Sequence, residues 1–73
     1  QLDPGDRVMI VEDIVTSGGQ TLEAAQVIHS AEAEVAKIVV VIDRQEGGRE
    51  KIEAAGFTFQ SLLTKSDLGI DDE

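Results

Sequence analysis

The chain has 73 residues, room for one domain at most, and a chain this short buries only about 60% of its unfolded surface. Fifteen acids against six bases leave a net charge of −9, which argues against nucleic acid as a partner, because phosphate backbones are bound through Lys and Arg. There is no cysteine, so no disulfide or thiolate metal site supports the core, and no apolar run approaches the roughly 20 residues that span a bilayer.

The first stretch, "QLDPGDR", has neither a basic n-region nor an apolar h-region and does not read as a signal peptide. The sequence opens without methionine, which predicts an excised or processed piece. "DPGD" is a turn signal, and "RVMIV" follows as a short continuous apolar run. Such runs suit strands buried on both faces, as in parallel sheets, and Met9 is read as core. "TSGG" breaks the chain. Beyond it Ala24, Val27, Ile28 and Ala31 recur at helical spacing, predicting a helix over about 20–33. "VAKIVVVI", residues 35–42, is rich in β-branched residues and reads as a second strand. "DRQEGG" is a polar loop. "REKIEAAG" reads as a short helix closed by Gly56, and "FTFQSLLT" as a third strand. Ser66 is the expected cap of a last turn, and the final "DDE" is read as a solvated tail.

Strand, helix, strand, helix, strand predicts an α/β fold with a parallel sheet and right-handed crossovers. Ligands of such sheets bind at the carboxyl ends of the strands. That rule points to Glu12 and Asp13, and to Asp43 and Arg44, each pair expected just past a buried strand.

Two consecutive carboxylates repel each other and need a cation or hydroxyl donors nearby. Vicinal sugar hydroxyls supply two such donors. The next residues lead into a helix N-terminus, where Gly18 and Gly19 let the backbone approach an anion and free N–H groups face it. Thr16, Ser17 and Thr21 add hydroxyls. Carboxylates followed by an anion cradle suit a sugar phosphate, which backbone N–H groups and a divalent cation can hold without net positive charge. An ordinary strand-to-helix connection can also carry two acids and two glycines, and the glycines alone do not decide between the two. No Lys follows them, so the loop is not a Walker A loop.

"VMIVEDIVTSGGQT" closely resembles the phosphoribosyl-pyrophosphate (PRPP) motif of type I phosphoribosyltransferases. "DRQEGG", some thirty residues on, and "SLLTKSDL" are similar to the orotate branch of that family. The resemblance covers nearly the whole chain and implies the β-α-β-α-β portion of a Rossmann-like, parallel-sheet phosphoribosyltransferase fold. It implies transfer of phosphoribosyl from PRPP to orotate, with Mg2+, giving orotidine 5′-monophosphate and pyrophosphate. By matching positions it implies that Glu12 and Asp13 hold the ribose hydroxyls. Thr16, Ser17, Gly18, Gly19, Gln20 and Thr21 wrap the 5′-phosphate. Thr16 and Arg44 contact orotate, Arg44 by pairing with its carboxylate.

The family's pyrophosphate loop, its flexible catalytic loop and the hood over the base lie N-terminal to this motif. Residues 1–73 are therefore expected to form one partial domain, the C-terminal portion, with no catalytic residue or protein metal site of its own and no independent activity. The small core and the buried-type first strand predict a homo-oligomer or a complementing N-terminal half. The cytoplasm is the expected location, and neither nucleic acid nor membrane is an expected partner. A purine-type phosphoribosyltransferase and a non-catalytic PRPP-sensing regulatory module are the competing readings. "DRQEGG" speaks against the first, and the acidic charge without a DNA-binding motif against the second. Among the remaining residues, His29 is read as a surface residue and Phe57 and Phe59 as core or interface. Glu46 is read as a solvated loop acid, and Arg49 and Lys51 as meeting solvent or nearby acids.

Overall fold

A computed structural model describes residues 2–69. The "DDE" end lies outside the described residues. "DPGD" forms its turn: the Asp6 N–H donates to the Asp3 carbonyl at 3.1 Å, and the Asp6 carboxylate accepts from the Asp3 N–H at 2.9 Å. Gly5 supplies the positive φ, 90°, that the turn requires.

Three strands follow: β1 (Arg7–Val15), β2 (Glu34–Asp43) and β3 (Phe59–Thr64). They lie in the order β1-β2-β3, and both pairs are parallel. Ile10 faces Ile38, and Ile38 faces Phe59. The crossovers are α1 (Gly19–Ser30) and α2 (Gly48–Ala54); a last turn, α3 (Lys65–Leu68), follows β3. This is the expected β-α-β-α-β order.

The helices pack on one face of the sheet. Ala25 of α1 and Ile52 of α2 join Ile10, Val15, Ile38, Val40 and Phe59 in a single buried cluster. Met9, Val11 and Leu62 stay 59%, 66% and 60% exposed. The expectation of strands buried on both faces, with Met9 in the core, is thus corrected for β1. It is an edge strand with one covered face, so its apolar run is half out. Phe59 is buried in the core and Phe57 packs partly against it, as read.

Both crossover helices close with the same hydrogen-bond pattern. In α2 the Gly56 N–H reaches the Glu53 carbonyl at 2.9 Å, and the Phe57 N–H reaches Ile52 at 3.3 Å. Gly56, at φ 95°, is the expected terminator. In α1 the matching pair is Glu32 to His29, 2.9 Å, and Ala33 to Ile28, 3.3 Å. Glu32 stands at φ 65°, where glycine would be unstrained. This turn ends α1 at Ser30, three residues before the expected 33. The buried stripe of α1 also differs from the expected one. Thr21 and Ala25 are buried and Ile28 packs on the core, whereas Ala24 is exposed and Val27 is 64% exposed.

The cap of α3 is Thr64, not Ser66. The Thr64 hydroxyl accepts from the Asp67 N–H at 3.1 Å, while the Asp67 carboxylate accepts from the Thr64 N–H at 2.9 Å. No helix among the described residues is long and apolar enough to cross a membrane.

Candidate functional site

β1 does not stop at the acids. β2 offers ladder partners as far as Asp43, so pairing continues through Glu12 and Ile14 to Val15. Glu12 and Asp13 therefore lie inside the strand and not past it, and neighbours in a strand face opposite ways. Glu12 is half-buried and lines a hollow of about 240 Å3 at the carboxyl end of β1. The other walls are Ile14, Val15 and residues 16–21, the whole of the loop and first turn of α1. Asp13 is exposed and is not part of this lining.

The N-terminus of α1 is open chemically. Gly18, its N-cap at φ 84°, provides no side-chain hydrogen bond. The first-turn N–H groups of an α-helix have no intrahelical acceptor, and together with the helix dipole they favour an anion. Thr16 and Ser17 are exposed at the lip, whereas Thr21 is buried, 5% exposed.

The two glycines differ in what they do. A Cβ on Gly19 would meet nothing within 4 Å, so Gly19 leaves open space where a ligand could approach. A Cβ on Gly18 would stand 2.9 Å from the Cα of Gly48. Gly18 is buried, and its missing side chain is required by its left-handed φ and by the second loop lying against it.

That second loop carries Arg44. Asp43, 3% exposed, accepts the Gln45 N–H at 2.8 Å. The Arg44 N–H donates to the Val15 carbonyl at 2.9 Å, so the backbones of the two loops are joined. Arg44 lines a separate apolar hollow of about 180 Å3 with Ile14, Ile42, Lys65 and Leu68. Ile14 is common to both hollows. Arg44 also pairs with Glu46, Nε to Oε2 at 3.4 Å, so this loop acid has a partner. Arg49 pairs with Glu53 at 3.2 Å, and its guanidinium lies 5.9 Å from the centre of the Phe59 ring.

Thr16, Ser17, Gly18, Gly19, Gln20, Thr21 and Glu12 thus share one hollow, and Arg44 faces its neighbour. Sequence reasoning missed Gln45, whose side chain bonds Ser66, and Gly48, which receives Gly18. The glycine pair of "DRQEGG" was the available signal for the latter. Among the described residues, no group of three or more His, Cys, Asp or Glu could hold a metal ion.

The chain is similar to known proteins in sequence and in fold. An orotate phosphoribosyltransferase of Pyrococcus abyssi is 48% identical over 68 residues, covering 93% of this chain and 37% of the relative. The chain therefore spans little more than a third of that relative. The crystal structure of Mycobacterium tuberculosis orotate phosphoribosyltransferase in complex with 5-phospho-α-D-ribosyl 1-diphosphate superposes with a TM-score of 0.85. Identity is 38%, over 94% of this chain and 42% of that one. An adenine phosphoribosyltransferase from Thermoanaerobacter pseudethanolicus superposes with a TM-score of 0.80 at 28% identity, over 86% and 37%. The strands, both crossover helices and the two loops all fall within residues 2–71, which match the model of the phosphoribosyl transferase domain, and the chain belongs to that family.

Proposed function

We propose that this chain is the PRPP-binding portion of an orotate phosphoribosyltransferase. That enzyme passes phosphoribosyl from PRPP to orotate and releases orotidine 5′-monophosphate and pyrophosphate, a step of pyrimidine nucleotide biosynthesis. One observation carries the reading: an uncapped helix N-terminus, a hydroxyl-bearing loop and the Glu12 carboxylate line a single hollow. The Mycobacterium relative, whose structure contains PRPP, supports the ligand, and the Pyrococcus relative supports the base.

In this reading the N–H groups and hydroxyls of residues 16–21 hold the 5′-phosphate. Glu12 accepts from ribose hydroxyls within the hollow, and Asp13, outside its lining, takes the weaker share of them. Their negative charge also favours the positive charge that develops on the ribose as its bond to pyrophosphate breaks. Thr16 and Arg44 take the base, the guanidinium matching the orotate carboxylate in a fork. Mg2+ would enter bound with PRPP, a common arrangement for this ion, and would supply positive charge to the leaving pyrophosphate.

Residues 1–73 are one partial domain in this proposal, inactive alone, acting in the cytoplasm. The exposed flank of β1 takes either the missing N-terminal half or a second copy. A purine-type activity is the second reading, favoured by the adenine phosphoribosyltransferase neighbour. Arg44 among the residues that line the apolar hollow supports a carboxylate-bearing base instead.

The test is product formation by the complete enzyme carrying this segment, with PRPP and either orotate or adenine, beside a PRPP titration. Nucleotide formed from orotate alone supports the proposal. Turnover of adenine would establish the purine reading, and PRPP binding without turnover of either base would identify a sensing module.

A further inference from the structure

Arg44 stands on a loop whose geometry depends on the residue after it. Gln45 takes φ 60°, a left-handed conformation that L side chains adopt only when their surroundings hold them there. Two contacts hold it. Its N–H donates to the buried Asp43 carboxylate, closing a tight turn around Arg44. Its side-chain oxygen accepts two bonds from Ser66, one from the N–H at 2.9 Å and one from the hydroxyl at 2.7 Å. Ser66 belongs to α3, and two other residues of α3, Lys65 and Leu68, line the same hollow as Arg44. The Gln45–Ser66 contact therefore spans two segments 21 residues apart and ties together two parts of the lining of one hollow.

We propose that Gln45 is a positioning residue for Arg44: clamped onto Ser66, it sets the guanidinium at a fixed distance from the α3 wall and so tunes the site for a carboxylate-bearing planar base. The inference rests on the assignment of Arg44 to the substrate carboxylate. The loop lies beside the phosphate cradle but outside its lining, so the clamp acts on the base and not on PRPP.

The experiment compares Gln45→Gly, Gln45→Glu, Ser66→Ala and Arg44→Ala in the complete enzyme carrying this segment, with KM for orotate and for PRPP and the thermal midpoint of each. Gln45→Gly removes the clamp while suiting the left-handed backbone. Loss of two hydrogen bonds should raise KM for orotate about tenfold, with KM for PRPP within about twofold of the parent value. Gln45→Glu keeps an acceptor oxygen for Ser66 but sets a further carboxylate beside Arg44, so its orotate KM should fall between those of Gln45→Gly and the parent. Ser66→Ala should give an intermediate rise and add little to Gln45→Gly, because the two act through one contact. If Arg44→Ala raises the orotate KM and Gln45→Gly does not, the clamp is refuted while the role of Arg44 stands. If Arg44→Ala leaves it unchanged, both fall. Equal rises for both substrates, or a rise that Gln45→Glu does not lessen, would mean a general structural role and overturn the proposal.

Discussion

Gly18 and Gly48 meet backbone to backbone: a Cβ on Gly18 would stand 2.9 Å from the Gly48 Cα and 3.1 Å from its carbonyl oxygen. The contact is reciprocal. A Cβ on Gly48 would run into Val15 Cγ1 and lie 2.7 Å from the Thr16 carbonyl oxygen. The Gly48 N–H donates to that same carbonyl at 3.1 Å. Gly18 and Gly48 thus let the loop after β1 and the segment after Arg44 close on each other without side chains between them.

Glycine substitutions should separate folding from binding here. Gly48→Ala forces a methyl group into Val15 and should cost about 1–3 kcal/mol of stability, read as a lowered thermal midpoint. Gly18→Ala should behave alike, since it adds a left-handed strain to the clash. Gly19→Ala meets open space and should leave the midpoint unchanged or slightly raised. A weakened PRPP affinity in Gly19→Ala would then report the ligand's approach alone. Undiminished affinity would remove the phosphate from this side of the loop.

Glu12 and Asp13 should be unequal. Glu12 lines the hollow and Asp13 does not. Glu12→Gln should therefore weaken PRPP binding by about 1.5–3 kcal/mol, the range for a hydrogen bond to a charged group, and Asp13→Asn by less. Titration of PRPP against both variants of the complete enzyme checks this. A larger loss in Asp13→Asn would show that the sugar lies outside the hollow.

Arg44 should discriminate between substrates. Arg44→Ala removes one partner of a charge pair with orotate and should cost about 2–5 kcal/mol in kcat/KM for that base, with a much smaller change in KM for PRPP. Glu46 competes for the same guanidinium across 3.4 Å, and both side chains are 43% exposed. A pair this open is worth no more than about 1 kcal/mol. Glu46→Gln should therefore lower the orotate KM by severalfold at most. A rise in KM would place Glu46 on the substrate side of the site.

The elements that could be read from the sequence are those specified by contiguous residues. The β-branched run at 35–42 and the Gly56 terminator need no distant partner to identify them. The loop of residues 16–21 is likewise one unbroken stretch, so its association with Glu12 was legible. What could not be read depends on what covers a face. Met9 and Val11 look buried by composition, yet both helices lie on the other side of their strand. Ala24 and Val27 fit a helical stripe as well as Thr21 and Ala25 do, because alanines in a 12-residue helix leave the buried side ambiguous. Asp13 and the Gly18–Gly48 and Gln45–Ser66 contacts depend on how far β1 pairs and on which loops the sheet brings together.

Glu32 offers a stability test away from the site. It occupies the terminator position of α1 at φ 65°, the place Gly56 fills for α2. Glu32→Gly should relieve that strain for a net gain of roughly 0.5–1 kcal/mol, after the added chain entropy of glycine is subtracted. Thermal unfolding is the measurement, and a lowered midpoint would mean that the Glu32 side chain contributes more than its backbone costs.

The isolated 73-residue chain should be a poor enzyme and should not persist as a monomer. Its fully buried large side chains are Ile38, Ile52 and Val40, a small core for this length. Met9, Val11 and Ile14 along edge strand β1 remain more than half exposed. An open strand edge with an apolar face invites pairing with another chain. For a core this size the balance of burial against chain entropy comes out near zero, so association or ligand should supply the remainder. Sedimentation of the purified chain should therefore show a dimer or larger species, or a mixture that tightens when PRPP is added. An orotidine-monophosphate assay on the same sample should show no turnover above background. A well-folded monomer turning over at ordinary enzyme rates of roughly 1–10³ s⁻¹ would show that these residues already contain the whole catalytic apparatus.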